Sequence, residues 1–272
     1  MYKYLVAVHE PPTDVLRSSA PTPLFLVPAA GSAFFSFIKL AKMLRVPRPV
    51  YSFDLAQLPM TDGGSNTGSG ESGEVMHSGI EQIAATLLQE LRQVQPTGPY
   101  LLGGHCSGGL VALAMASQLE AVGETVERLL LLESTRPIKS DLGYKESDHV
   151  PTEFVDYFVR QMDLMKDRVL DSVRHKLARL PEQYAQSMLE RTRQQIDAAG
   201  DYAAPAVNAA IVLFRTDAHP EVLYGGWHQF GRSGFEECKI PGDTDSMLTE
   251  PHVRQLAQTL EIRLHQDDSP VS

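Results

Sequence analysis

Five residues with a glycine at each end, Gly104-His105-Cys106-Ser107-Gly108, separate an apolar run (Tyr100-Leu101-Leu102-Gly103) from a helical pattern reaching Leu119. A chain that turns this sharply from a buried strand into a helix needs a sheet with helices packed on it. The pattern has the form G-x-S-x-G, in which the middle residue sits on a strand-to-helix elbow and projects clear of the backbone. Its register is fixed. Centring on Ser107 would require glycine at 105, which is histidine, so the elbow residue is Cys106.

The rest of the chain repeats the strand and helix alternation. Pro23–Pro28 reads as a short buried strand, followed by the small-residue turn Ala29-Ala30-Gly31-Ser32. Phe34–Leu44 has helical spacing, and Val50–Leu55 is a second strand beyond Pro47 and Pro49. Gly63–Gly73 holds almost nothing apolar and predicts a mobile loop. Ile80–Val94 is an amphipathic helix, Val126–Leu132 a buried strand, Ala210–Arg215 another, Phe235–Ile240 a weaker one, and Pro251–Leu264 a closing helix. Between two of these strands lies a polar helical stretch, Glu153 to about Ala203, divided at Pro181. The pattern predicts one α/β domain over residues 1–272, mostly parallel in its sheet, with helices on both faces and a helical lid over about 150–205.

Composition narrows the function classes. With 24 Lys+Arg against 34 Asp+Glu the net charge is −10, which argues against a general nucleic-acid binder. No run of about 18 apolar residues appears, so no membrane span is expected. The first residues lack a basic stretch followed by a long apolar one, as a secretion signal would have. Two cysteines, Cys106 and Cys238, allow neither a disulfide framework nor a cysteine-rich metal site, and they suit the cytoplasm. No metal or bound cofactor is expected.

A helix beginning just after Cys106 directs its first N–H groups at the sulfur, favouring negative charge there. The Ser107 N–H would face the oxyanion of an attacked carbonyl. A thiol that is partly thiolate near neutral pH attacks a thioester without a base, which a serine hydroxyl does not. Among the histidines, His105 is expected on the far side of the elbow from Cys106. His219 and His228 lie on a loop that can approach it, and His252 opens the last helix.

VPAAGSAFF (Val27–Phe35), GPYLLGGHCSGGLVALAMA (Gly98–Ala116), RLLLLES (Arg128–Ser134), LFR (Leu213–Arg215) and IPGDTDSMLTEPHVRQLA (Ile240–Ala257) occur in this order. In these segments the chain resembles the thioesterases of polyketide and non-ribosomal peptide assembly lines, from about Pro23 to Leu264. The resemblance implies an α/β-hydrolase fold with a helical lid. It also implies action on acyl or peptidyl thioesters delivered by the phosphopantetheine arm of a carrier protein, and a second oxyanion N–H at Ala29. The chain departs from the family at the nucleophile, most often serine and here Cys106. It departs again in the G-x-H segment before the last helix, where Thr244 stands in the place of the histidine. The acid of the sixth family strand is Glu133 rather than aspartate, and Asp217, after the next strand, is the alternative.

Without a base at 244, hydrolysis of an acyl-Cys106 loses about 10²–10⁴-fold, whereas a better nucleophile than water loses less. The expected activity is therefore acyl transfer or cyclisation rather than plain hydrolysis. Two other readings stay open: a Cys-His-acid hydrolase or cyclase with a histidine from the His219–His228 loop, and a silent scaffold that binds carriers. Because carriers are acidic, docking is expected on the basic stretch Lys39, Lys42, Arg45 and Arg48.

Overall fold

The computed structural model describes residues 2–11, 21–45, 48–58, 79–137, 152–219 and 223–265. The predicted Gly63–Gly73 loop lies outside them. Seven strands form one sheet: β1 (Leu5–His9), β2 (Leu24–Val27), β3 (Val50–Phe53), β4 (Tyr100–His105), β5 (Val126–Leu132), β6 (Ala210–Arg215) and β7 (Phe235–Lys239). Their order across the sheet is β1-β3-β2-β4-β5-β6-β7. All neighbours pair in parallel except β1, which runs antiparallel to β3 at the edge. Sequence reading missed β1, because its half-exposed residues carry no clean alternation before the prolines that follow.

Six helices complete the fold: α1 (Ile38–Met43), α2 (Ile80–Val94), α3 (Ser107–Ala121), α4 (Thr152–Leu177), α5 (Glu182–Asp201) and α6 (His252–His265). The helix expected over Phe34–Leu44 opens as a 3-10 turn, Phe34–Phe37, before α1. Pro181 caps α5, as its fixed φ and missing N–H permit at a helix start.

Successive strand residues point to opposite faces, so each face builds its own core. Phe25, Val27, Leu102, Leu129, Leu131, Ile211 and Leu213 pack with α2 and α3 on one side. Leu24, Leu26, Leu101, Leu130, Leu132, Val212 and Phe214 pack with α1 and α6 on the other. Strands buried on both faces read as continuous apolar runs, and the four leucines Leu129–Leu132 are wholly buried.

The topology itself nominates a site. From β2 the chain moves outward to β3, and from β4 it moves the opposite way to β5, β6 and β7. In such sheets ligands bind beyond the carboxyl ends of the strands where the direction reverses, here between the ends of β2 and β4. No helix among the described residues is long and apolar enough to cross a membrane.

Candidate active site

Cys106 occupies that reversal point. It joins β4 to α3 with φ 51° and ψ −122°, a conformation that costs a side-chain-bearing residue of order 1–3 kcal/mol. The surrounding glycines explain how the turn closes. A Cβ on Gly104 would lie 2.2 Å from the Gly108 carbonyl oxygen, and one on Gly108 would lie 2.4 Å from the Val27 oxygen. The Cys106 N–H donates to the Leu132 oxygen at 2.8 Å, extending the ladder between β4 and β5 into the turn.

The turn is also tied to the end of β2. The Ala30 N–H donates to Ser107 Oγ at 2.9 Å, so the loop carrying Ala29 is fixed against the first residue of α3. Ala29, Cys106 and Ser107 together line a small, largely apolar recess of about 50 Å³ closed by Leu110, Met165 and Ile196. A larger cavity of about 300 Å³ lies on the other side of Cys106, lined by His105, Arg168, Lys176, His219, Thr244 and Asp245 among others. Helix α4 roofs both chambers and α5 helps close the smaller. Across the larger one, α4 is fastened to the loop before α6 by Lys176 Nζ–Asp245 Oδ1 at 3.2 Å and by Ser172 Oγ donating to Asp245 Oδ2 at 3.4 Å.

The second strained residue is Glu133, just past β5, with φ 50°. It and Cys106 are the only non-glycine residues with positive φ among those described. The Glu133 carboxylate is buried and accepts from the Thr216 N–H at 2.6 Å, the Thr216 hydroxyl at 2.7 Å and the Tyr224 hydroxyl at 2.5 Å. Burial and this carboxylate push the Tyr224 hydroxyl pKa strongly upward, so it remains a donor. Glu133→Ala would strand buried donors worth about 1–3 kcal/mol each. We expect the variant to lose about 2–4 kcal/mol of stability in urea denaturation. A loss below about 1 kcal/mol would mean that these bonds bear no weight.

Asp217 lies elsewhere. Its carboxylate is exposed and pairs with Lys239 Nζ at 3.0 Å and with Arg215 Nη1 at 3.5 Å, outside both chambers. The structure thus brings Glu133, not Asp217, toward Cys106: Glu133 acts electrostatically on both the Cys106 thiol and the His219 imidazole.

Thr244 lines the larger chamber, and its Oγ1 lies 2.9 Å from His219 Nε2. His219 was one of several possibilities in the sequence. No spacing links it to a partner 25 residues on, and only the fold brings the two together. His228 is exposed and sits edge-on to Phe235, away from the cavity. His105 differs from expectation: it lines the same chamber as Cys106, buried against the Thr244 main chain. Desolvation lowers its pKa to about 4, so its ring is neutral. The His219 pKa is lowered too, chiefly by desolvation and against the pull of Glu133, leaving a neutral imidazole at pH 7.

The thiol also departs from the sequence expectation. Cys106 is reachable from the cavity but embedded in protein, and burial pushes its pKa up to about 11. The Ser107 N–H pulls it down, as a helix start should, while Glu133 and Asp245 push it up. Desolvation wins because the sulfur is enclosed mostly by protein atoms, which solvate a thiolate poorly. At neutral pH the protonated thiol therefore prevails over the thiolate.

Lys39, Lys42 and Arg45 are exposed near α1. Arg48 is not part of that surface. It is buried and donates to the carbonyls of Thr22 (3.0 Å) and Leu264 (3.3 Å), bracing the chain ahead of β2 against the end of α6. Among the described residues no group of three or more His, Cys, Asp or Glu side chains is placed to hold a metal ion.

A doubly wound sheet, a strained cysteine on the β4–α3 elbow, a buried glutamate just past the next strand and a helical insertion above them define an α/β-hydrolase fold. Within that class the chain belongs to the thioesterase domain family, whose pattern it matches over residues 22–263. The non-reducing polyketide synthase terA of Aspergillus terreus is 29% identical over 205 residues, 68% of this chain but 9% of the synthase. Malpinin synthetase of Mortierella alpina is 24% identical over 252 residues, 90% of this chain and 3% of the synthetase. The chain therefore spans under a tenth of the length of these relatives. Among solved structures, the Vlm2 thioesterase domain bound with a dodecadepsipeptide superposes with a TM-score of 0.66 at 22% identity, covering 96% of this chain and 97% of that one. SrfTE, the thioesterase domain that cyclises the lipopeptide antibiotic surfactin, gives 0.62 at 17%, covering 96% of each. At these identities the likeness is one of fold.

Proposed function

We propose that this chain is the release or transfer module of a polyketide or peptide assembly line. It takes an acyl, aminoacyl or peptidyl group from a carrier-protein phosphopantetheine thioester onto Cys106. The observation that carries the reading is the strained Cys106 elbow between two chambers beneath α4. Attack of the sulfur on the thioester carbonyl expels the pantetheine thiol and leaves a thioester on Cys106, a nearly isoenergetic exchange. The N–H groups of Ala29 and Ser107 are the donors assigned to the developing oxyanion, the Ala30 N–H being engaged by Ser107 Oγ. Glu133 is the acid of the site, and the relatives, a polyketide synthase and Malpinin synthetase of which this chain matches under a tenth, support a carrier as partner.

Passage to an amine, hydroxyl or thiol, rather than to water, is the second half of the proposal. The apolar recess beside the sulfur offers few partners to an attacking water, and a thioester is a good acceptor for better nucleophiles. Intact-protein mass spectrometry after mixing with an acyl-carrier thioester tests both halves. A persistent adduct on Cys106 supports transfer, rapid release of free acid supports a hydrolase, and no adduct sinks the enzymatic reading in favour of a carrier-binding scaffold.

Docking of the carrier is assigned to the exposed cations near α1. Reversing Lys42 and Arg45 to glutamate should weaken carrier binding by about tenfold at low salt and by less at high salt. Binding by calorimetry that is unchanged at low ionic strength would remove this surface from the account.

A further inference from the structure

The Cys106 thiol is protonated at neutral pH, so acyl loading requires a group to take its proton. The larger chamber contains Cys106, Thr244 and a neutral His219 whose Nε2 is hydrogen-bonded to Thr244 Oγ1. We propose that Thr244 and His219 together form the base of this site, the Thr244 hydroxyl relaying a proton between the sulfur of Cys106 and the imidazole of His219. The inference rests on the reading of Cys106 as the acylated residue and supplies the activation which that reading lacks.

The S–H bond of Cys106 breaks and its proton passes to Thr244 Oγ1, while the hydroxyl proton of Thr244 passes to His219 Nε2. The sulfur bonds to the thioester carbonyl carbon, the carbon–sulfur bond to pantetheine breaks, and the departing thiolate recovers the proton by the reverse route. Nothing is oxidised or reduced. An amine or hydroxyl acceptor that later attacks acyl-Cys106 yields its proton along the same path.

The charges around the imidazole suit a temporary proton. Glu133, at the end of β5, and Asp243, in the loop before α6, favour the imidazolium, whereas Arg168 of α4 and burial oppose it. Asp245, Lys176 and His105 face the same chamber, and the first two are paired with each other. His105 is adjacent but is the poorer base, because its deeper burial holds its pKa near 4.

The test uses iodoacetamide, which reports on the sulfur without any thioester, in a Cys238→Ala background so that Cys106 alone reacts. Alkylation of that reference protein should change little between pH 7 and pH 9, since its imidazole is neutral throughout. His219→Gln, which keeps a partner for Thr244 but is too weakly basic to take up its proton, should be about 10²–10⁴-fold slower at pH 7. Its rate should then climb about tenfold per pH unit, following the thiolate fraction. Thr244→Val should behave like His219→Gln, and Thr244→Ser should restore the reference profile, which keeps the test decisive even if the His219 variant fails to fold. A His219→Gln profile superimposable on the reference overturns the base, and an unaffected Thr244→Val overturns the relay. Acyl loading measured on the same proteins separates the two ideas: the expected alkylation pattern with no acyl adduct on any variant sinks acyl transfer and leaves the base standing.

Discussion

Cys106→Ala is expected to abolish acyl loading from a carrier thioester outright, with no mass adduct at any pH. No other described thiol faces the cavity, Cys238 lying buried on β7 beside Glu236. Cys106→Ser sharpens the result. A serine hydroxyl is almost wholly protonated and attacks only when a base takes its proton. The serine variant should therefore load measurably but slowly, as an oxoester, and the Cys106→Ser/His219→Gln double variant should not load at all. Loading of the alanine variant would place the nucleophile elsewhere and undo the assignment of the elbow. Equal loading by the serine single and double variants would leave Cys106 in place and remove His219 as its base.

The second large effect is on folding. Gly104→Ala puts a methyl group 2.2 Å from the Gly108 carbonyl oxygen, where both neighbours are backbone and neither can swing aside. Relief requires the β4–α3 turn to open, which breaks the contact of Gly108 with the Val27 and Pro28 carbonyls as well. A loss of about 3–5 kcal/mol is expected, at the upper end for a single substitution and a large part of the stability of an ordinary domain. Gly123→Ala is the control: nothing lies within 4 Å of its Cβ position, and its left-handed φ of 82° leaves only a local backbone penalty of about 1 kcal/mol. Urea midpoints that fall equally for the two variants would mean that turn closure is not what the glycines at the elbow provide.

The contrast shows which parts of this protein are readable from its residues. The elbow was legible because its constraint is local: two glycines at fixed offsets, between an apolar run and a helical period, permit one register. The buried strands β5 and β6 were legible to the residue, since each carries an unbroken apolar stretch, Leu129–Leu132 and Ala210–Phe214, of the kind that strands covered on both faces require. Glu133 emerged only through family resemblance, as its role depends on Thr216 and Tyr224, 83 and 91 residues away. Asp217 looked equivalent in sequence and is not, because the chain beyond β6 turns it toward Lys239 at the sheet edge. Arg48 looked like a surface cation and is a buried brace, since nothing local announces the carbonyl of Leu264, 216 residues on. The ionisation of the thiol is illegible in the sequence for a related reason. A helix start is visible in sequence, whereas the desolvation that outweighs it belongs to the assembled cavity.

The ladder bonds at the two strained residues have a consequence for how this protein breathes. The Cys106 amide donates to the Leu132 oxygen at the end of the β4–β5 ladder and the Glu133 amide to the Phe214 oxygen at the end of the β5–β6 ladder, at 2.8 and 2.7 Å. Neither proton can be traded with solvent until those strands part, so in heavy water both should be retained about as long as the slowest amides of β4 and β5. The roof is fastened differently. Its exposed Lys176–Asp245 pair is of a kind worth about 0–1 kcal/mol. An α4 tied across the larger chamber by so weak a pair is expected to loosen more often than the sheet opens, and Cys106 and Glu133 then keep their places when it does.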